Sequence, residues 1–319
     1  MLSYPDFMEK QILFIYSEEL KNLVIQNGNL VVAEEGKIIN QTSLKKIFAV
    51  FIIGNATFTS VLIQKLIQEG AIMVLADRNY SPYCLIGGET EGNFLLREKQ
   101  YRDQNQLIKA CWIIGNKIQN QILLLQNRRN KTIEEKEIIR KITILQNDAI
   151  KTDDPKSLLG LEGNASKLFF CSYFGEFGWH GRKPRTKYDE LNTLLDIGYT
   201  YLFNFIEAHL RLYGFDIYRG FYHTDFYQRK SLVCDLEEPF RCIVDEALHR
   251  ALALNQFNKT DFKVEKGEYH LKKGCGSKYI KIFLENIMKH KESIFLYLQS
   301  YYRQAMKETN NYPVFLIKE

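Results

Sequence analysis

The run Gly87-Gly88-Glu89-Thr90-Glu91-Gly92-Asn93 divides the chain. It has no large apolar side chain, and three of its seven residues are glycine. Such a segment neither joins a core nor holds a regular element, so it reads as a linker. The two sides of it differ in hydrophobic period, and that difference decides the fold.

On the N-terminal side apolar residues alternate: Ile12, Phe14 and Tyr16, then Leu23 and Ile25, Leu30 and Val32, and Phe48, Val50 and Ile52. Asn27-Gly28 between two alternating runs is a hairpin signal, and Glu35-Gly36 marks a second turn before Ile38. One stretch, from near Thr57 to Gly70, predicts a helix closed by a C-terminal glycine. Strands resume over 72–75 and 83–86.

On the C-terminal side the period becomes helical. Leu107, Cys111, Ile114, Ile118 and Ile122 share a face within 94–128. A second helix is expected over 133–150, and a third opens at Asp154-Pro155, a capping acid followed by a proline at the first helical position. A fourth runs over about 187–213 to Gly214, a fifth starts at Pro239, and a last spans roughly 277–307. The expectation is an α+β protein. A mostly antiparallel β domain with one helix occupies 1–88, a linker 89–96, and a larger all-α domain 97–319.

A chain of 319 residues buries a sizeable core and is more comfortable as two domains than one. The net charge is a modest +5, unevenly spread. Residues 1–90 carry 7 Lys/Arg and 9 Asp/Glu, leaving 36 basic and 29 acidic residues beyond them. A polyanion is therefore expected to meet the back half. Six cysteines without a C-x-x-C pair read as free thiols, mostly buried, in a reducing cytoplasm. There is no N-terminal signal pattern and no apolar run long enough for a membrane span, so no membrane partner is expected.

Two regions carry the chemistry. In Leu158-Leu159-Gly160-Leu161-Glu162-Gly163 a carboxylate sits mid-helix beside two glycines, each costing about 1 kcal/mol relative to alanine. Either close backbone approach to the acid or tight helix packing explains them. Further on, Gly220-Phe221-Tyr222-His223 precedes Ser231-Leu232-Val233-Cys234-Asp235-Leu236-Glu237-Glu238-Pro239-Phe240-Arg241. With Pro239 read as a helix start, Asp235 and Glu238 are expected at a helix N-terminus, favoured by its dipole. A histidine with carboxylates suits Mg2+ or Mn2+ better than a thiolate zinc site. Basic residues gather nearby: Arg182, Lys183 and Arg185 in one loop, Arg229 and Lys230 between His223 and Asp235, and Arg241 after the Glu-Pro turn. Phosphate contacts from these would make DNA binding salt-dependent, and Arg241 could equally orient Asp235 or Glu238.

The Leu-x-Gly-x-Glu-Gly helix, the Gly-aromatic-aromatic-His segment and the Ser-Leu-Val-x-Asp-x-x-Glu-Pro-Phe-Arg segment, in that order, resemble the signature of the CRISPR-associated adaptation integrase/endonuclease family. The resemblance covers essentially the whole chain, including a β-rich front and a helical back. It implies that Glu162, His223 and Glu238 bind one divalent metal and that Asp235 supports them, all four being catalytic. Glu238 stands where some members have Asp, which keeps the charge. The resemblance further implies DNA strand transfer, joining prespacer 3′-hydroxyls to the CRISPR repeat, with related endonuclease activity. It also implies a homodimer that assembles with a small ferredoxin-like Cas partner into a heterohexamer on double-stranded DNA.

Two other readings are open. The same site could serve a general metal-dependent nuclease or branched-DNA resolvase with water as nucleophile. A non-catalytic DNA scaffold would share the basic loops but have no need of the four site residues.

Overall fold

The computed structural model describes residues 4–78, 80–88, 93–179, 181–223, 226–307, 309 and 311–318. After a short α1 (Tyr4–Met8), the strands are β1 (Gln11–Gln26), β2 (Asn29–Glu34), β3 (Lys37–Ser43) and β4 (Ile47–Phe58); α2 (Ser60–Gln68) leads to β5 (Ile72–Ala76) and β6 (Pro82–Ile86). They form one sheet in the order β3-β2-β1-β4-β5-β6. Asn27 and Gly28 have φ of 50° and 75°, and Glu35 and Gly36 of 48° and 79°, the left-handed pairs that tight hairpins demand. The sheet is mixed: β1–β2, β2–β3 and β5–β6 are antiparallel, while β4 lies parallel to both β1 and β5.

The sheet's place in the molecule follows from β4. Its residues 47–53 are all buried, so both faces are covered. Val50 and Ile52 join Leu23, Leu30, Val32 and α2 residues Leu62 and Leu66 in a small core. Phe48 and Phe51 face the other way, into the main core. There Phe48 meets Phe205 at 5.2 Å and Phe51 meets Tyr201 at 5.1 Å between ring centroids.

Of the predicted linker, residues 89–92 lie outside the described residues, and Phe94 already opens α3 (Phe94–Arg102). Then come α4 (Gln106–Gln126), α5 (Ile133–Lys151), α6 (Pro155–Tyr173), α7 (Glu190–Tyr213), α8 (Ser231–Glu237), α9 (Arg241–Ala253), β7 (Phe262–Glu265), β8 (Glu268–Leu271), α10 (Gly276–Lys289) and α11 (Lys291–Lys307). The β7–β8 hairpin, turning at Lys266-Gly267, interrupts a region that the sequence reading made wholly helical. Cys111, Cys234 and Cys242 are buried free thiols, whereas Cys171 is exposed on the outer side of α6. No described helix is long and apolar enough to cross a membrane.

Two packing features fix the elements that carry the polar centre. The C-terminal segment lies along α4. Trp112 Nε1 donates to the Pro313 carbonyl at 2.7 Å, Asn116 exchanges two bonds with the Phe315 backbone, and Asn120 Oδ1 accepts the Ile317 N–H at 2.8 Å. Asn120 Nδ2 also reaches the Pro239 carbonyl at 3.1 Å, tying α4 to the Glu238-Pro239 turn.

Helix α7 meets α9 and α10 at Gly198, where an added methyl would be driven into Val244 and to 3.2 Å from the Phe283 ring. Gly198→Ala gains about 1 kcal/mol of helix propensity. The overpacking costs about 1–3 kcal/mol. We expect a net lower melting temperature; an unchanged or higher one would show that the interface yields freely.

Candidate active site

Asp235 is fully buried, and its carboxylate is saturated. Oδ2 accepts the backbone N–H groups of Phe221 and Tyr222 at 2.6 and 3.1 Å. Oδ1 accepts the His223 N–H at 2.9 Å and lies 2.7 Å from His223 Nδ1. The loop turns so closely over α8 that a Cβ on Gly220 would stand 2.7 Å from Asp235 Oδ2 and from Ser231 Cβ. That close approach is the reason for glycine there. Gln100 fastens the loop's start, donating to the Asp216 and Arg219 carbonyls at 2.8 and 2.9 Å.

The consequence for His223 is chemical. A carboxylate cannot donate, so in the neutral imidazole Nδ1 carries the proton and Nε2 keeps the lone pair. A buried acid that orients an imidazole through Nδ1 is the usual outer partner of a metal-binding histidine. Asp235 itself has no acceptor capacity left facing outward. It positions the histidine and the loop.

The expected helix N-terminus is corrected by the structure. Ser231 opens a separate helix, α8, so Asp235 lies within it, and Glu238 starts a 3-10 turn through Phe240 that leads into α9. Pro239 is accommodated because the chain tightens there instead of beginning a new α-helix. The ionised form of Asp235 is served by backbone N–H groups of the 221–223 loop, not by a helix dipole.

Glu162, from α6, and Glu238, from the turn after α8, meet on one cation, the ammonium of Lys117 in α4. Lys117 Nζ pairs with Glu162 Oε1 and lies 2.8 Å from Glu238 Oε2. Ser166 donates to Glu162 Oε1 at 3.2 Å. Glu238 is only 3% exposed, and its Oε2, though within ion-pair reach, receives no well-directed hydrogen bond. Burial opposes its charge, but the Arg241 and Lys117 cations hold the carboxyl down at about 2. Burial likewise works against the Lys117 ammonium and is outweighed by Glu162 and Glu238, so its affinity for the proton is raised. Next to them Glu237 is pushed up to about 7 by burial, with Arg241 opposing.

The two glycines around Glu162 answer to neither expected cause. A Cβ at Gly160 or Gly163 would meet open space, so no backbone or helix is packed there. They keep the surface beside the carboxylate uncluttered.

Glu162, His223, Glu238, Lys117 and Arg241 all line one cleft of about 1610 Å³. Of the six basic residues expected to meet DNA, three are engaged internally. Arg182 pairs with Asp196 and donates to Asn192, Lys230 pairs with Glu207 at 2.8 Å, and Arg241 sits 3.3–3.4 Å from Glu237 and Glu238. Lys183 and Arg185 are exposed, and Arg185 and Arg229 line the cleft. Lys117 and Glu237 were missed by sequence reasoning. Lys117, between Asn116 and Ile118, looks like a polar residue of any amphipathic helix, so nothing local marked it.

Whether the donors suit a divalent cation can be judged from this geometry. Two carboxylates already converge on a positive charge, one oxygen is buried without a hydrogen bond, and the histidine presents Nε2. Hard oxygen donors plus one imidazole fit Mg2+ or Mn2+. Among the described residues, no three His, Cys, Asp or Glu side chains enclose an ion without movement. The cation that stands between the two acids is the Lys117 ammonium.

Comparison with known proteins gives a consistent result. The family model described as CRISPR associated protein Cas1 matches residues 14–285. The chain is 30% identical over 269 residues to CRISPR-associated endonuclease Cas1 1 of Archaeoglobus fulgidus, spanning 76% of this chain and 78% of that one. Among solved structures, a chain of a Cas6-RT-Cas1–Cas2 complex superposes with a TM-score of 0.81 at 22% identity, covering 98% of this chain and 36% of that longer one. A casposase bound to integration product gives 0.75 at 19% identity, covering 95% and 92%. At these identities the structural matches speak for the fold.

Proposed function

The chain belongs to the Cas1 family, and from that premise we propose that it is a CRISPR spacer-acquisition integrase, a Mg2+- or Mn2+-dependent DNA strand transferase with related endonuclease activity. The observation that carries the reading is the meeting of Glu162 and Glu238, 76 positions apart, on one positive charge in a cleft that His223 also lines.

Glu162, Glu238 and His223 Nε2 would hold the ion. When bound, it polarises the scissile phosphate and favours the ionised 3′-hydroxyl. Strand transfer forms a bond between the donor 3′-oxygen and the target phosphorus and breaks the target's own P–O3′ bond. The leaving oxygen takes up a proton, and the number of phosphodiesters is unchanged. No protein nucleophile is required. Asp235 keeps the His223 proton on Nδ1, so that Nε2 faces the cleft as an acceptor. Arg241 keeps Glu238 ionised, and the exposed Lys183 and Arg185 supply phosphate contacts along the approaching strand. The open surface beside Gly160 and Gly163 leaves room for a backbone to come close to Glu162.

Support for the assembled form comes from the family. A homodimer would be built through the strand-rich N-terminal part, joined by a small ferredoxin-like Cas partner in a heterohexamer that grips prespacer and repeat DNA in the cytoplasm. The solved Cas1–Cas2 complex of similar fold is in keeping with this.

The test uses a supercoiled plasmid carrying a repeat and a labelled duplex donor with free 3′-hydroxyls. In Mn2+ or Mg2+ the product is a relaxed circle with covalently joined label, and EDTA removes it. Relaxed circles without label would mean hydrolysis by water, and integration that survives EDTA would end the metal-dependent reading.

A further inference from the structure

A lysine ammonium between a buried and a half-buried acid is an unusual neighbour for a metal site, and the surroundings suggest where else it can go. A second cavity of about 110 Å³ adjoins the cleft, and Lys117, Glu162 and Glu238 border both. The small chamber is also lined by Gln121, Ser166, Cys242 and Asp245, and by the Arg182 and Arg241 guanidiniums, which are paired with Asp196 and with Glu237 and Glu238. Gln121 is one helical turn beyond Lys117 and is almost fully buried, yet its Oε1 has no hydrogen-bond donor. Asp245, from α9, is 2% exposed and takes a hydrogen bond from the Tyr199 hydroxyl. The chamber thus holds a vacant acceptor and a buried acid that can receive an ammonium, with enough room for its head, while its two guanidiniums already face acids of their own.

We propose that Lys117 is the resident cation of the Glu162–Glu238 pair, holding the two acids together until a divalent ion binds and then withdrawing into the adjoining chamber toward Gln121 Oε1 and Asp245. The proposal rests on the pair being the divalent-ion site. Its physical ground is charge. Two carboxylates gathered on one point, one of them buried, repel one another and favour protonation unless a cation lies between them. With the ammonium in place they stay ionised and gathered. A divalent ion satisfies them better, but a positive charge left beside it would oppose its binding. The flexible four-carbon stem of lysine allows the head to leave without moving α4. Metal binding is then an exchange of cations, and its strength depends on both the acids and the chamber.

The experiment measures Mn2+ binding to the full chain by calorimetry or electron paramagnetic resonance, with melting temperatures recorded with and without the ion. Lys117→Met is expected to bind Mn2+ at least about tenfold more tightly, because the competing charge is gone. Without the ion it should melt about 5 °C or more below the wild type, and Mn2+ should close most of that gap. Asp245→Asn should weaken binding in the wild-type background and have no effect in Lys117→Met, since no ammonium then needs a refuge. Lys117→Gln serves if the methionine variant does not fold.

Equal or weaker Mn2+ binding by Lys117→Met overturns the proposal, as does a melting deficit that Mn2+ leaves unchanged; either would make Lys117 a permanent structural ion pair. An Asp245→Asn effect of the same size in both backgrounds also overturns it. If the wild type itself binds neither Mn2+ nor Mg2+, the metal reading of the site fails first, and the exchange fails with it.

Discussion

Asp235→Asn is expected to cripple strand transfer and to destabilise the protein together. The asparagine is isosteric, so its effect comes from donors and acceptors alone. In the wild type one carboxylate accepts three backbone N–H groups and faces the His223 ring at 2.7 Å. An amide must turn its NH2 toward at least one of those donors. If Nδ2 faces the loop, the Phe221 and Tyr222 N–H groups lose their acceptor inside a fully buried site. If it faces His223, it meets both the histidine N–H and a protonated Nδ1, and the ring answers by moving its proton to Nε2. Each buried donor left unpaired costs about 1–3 kcal/mol, so a loss of about 2–4 kcal/mol is expected. The tautomer change removes the lone pair from the cleft, and loss of such an outer partner typically lowers metal affinity or activity by about 10–100-fold. A chemical melt and a strand-transfer assay at several Mn2+ concentrations check both. If Asp235→Asn kept wild-type stability and activity, the carboxylate would not be organising the loop and histidine as described.

The parts of this protein that could be read from its sequence are those governed by local rules. Asn27-Gly28 needed only its own left-handed backbone and two flanking alternations. Asp154-Pro155 capped α6 as expected, with Asp154 accepting the Lys156 and Ser157 N–H groups. The parallel pairing of β1 with β4 could not be read in this way, because the 20 residues 27–46, which carry two further strands, separate them, and nothing local says which edge β4 joins. Its signal was the unbroken apolar run 47–53, which marks a strand covered on both faces. The polar centre divides along the same line. Glu162, His223, Asp235 and Glu238 stood out by motif, but their division of labour did not. Pro239 imitated a helix start, because local rules do not show that the preceding seven residues are already helical and feed into a tight turn. Lys117 was invisible for a further reason: in α4 it sits among residues that look like any amphipathic helix, and only the arrival of acids from 45 and 121 positions later explains its burial.

His223→Ala should separate what Asp235→Asn confounds. The alanine removes the one nitrogen donor of the cleft's His–carboxylate set, yet Asp235 retains its three backbone N–H partners, so the loop and α8 keep their join. His223 is itself partly exposed, and its loss opens no cavity in the main core. Stability should change by about 1 kcal/mol or less, the worth of a single side-chain hydrogen bond. Strand transfer should fall on the order of 10^3-fold, because the several kcal/mol that a well-held ion supplies to the transition state depend on its position. Duplex affinity and its salt dependence should be unchanged, since the exposed cations expected on phosphate, Lys183 and Arg185, are left in place. Measured side by side, the two variants give opposite patterns of folding loss for the same chemical defect. A His223→Ala protein that lost duplex binding or folding in step with activity would place the histidine in the scaffold, and one that kept strand transfer would remove it from the reaction altogether.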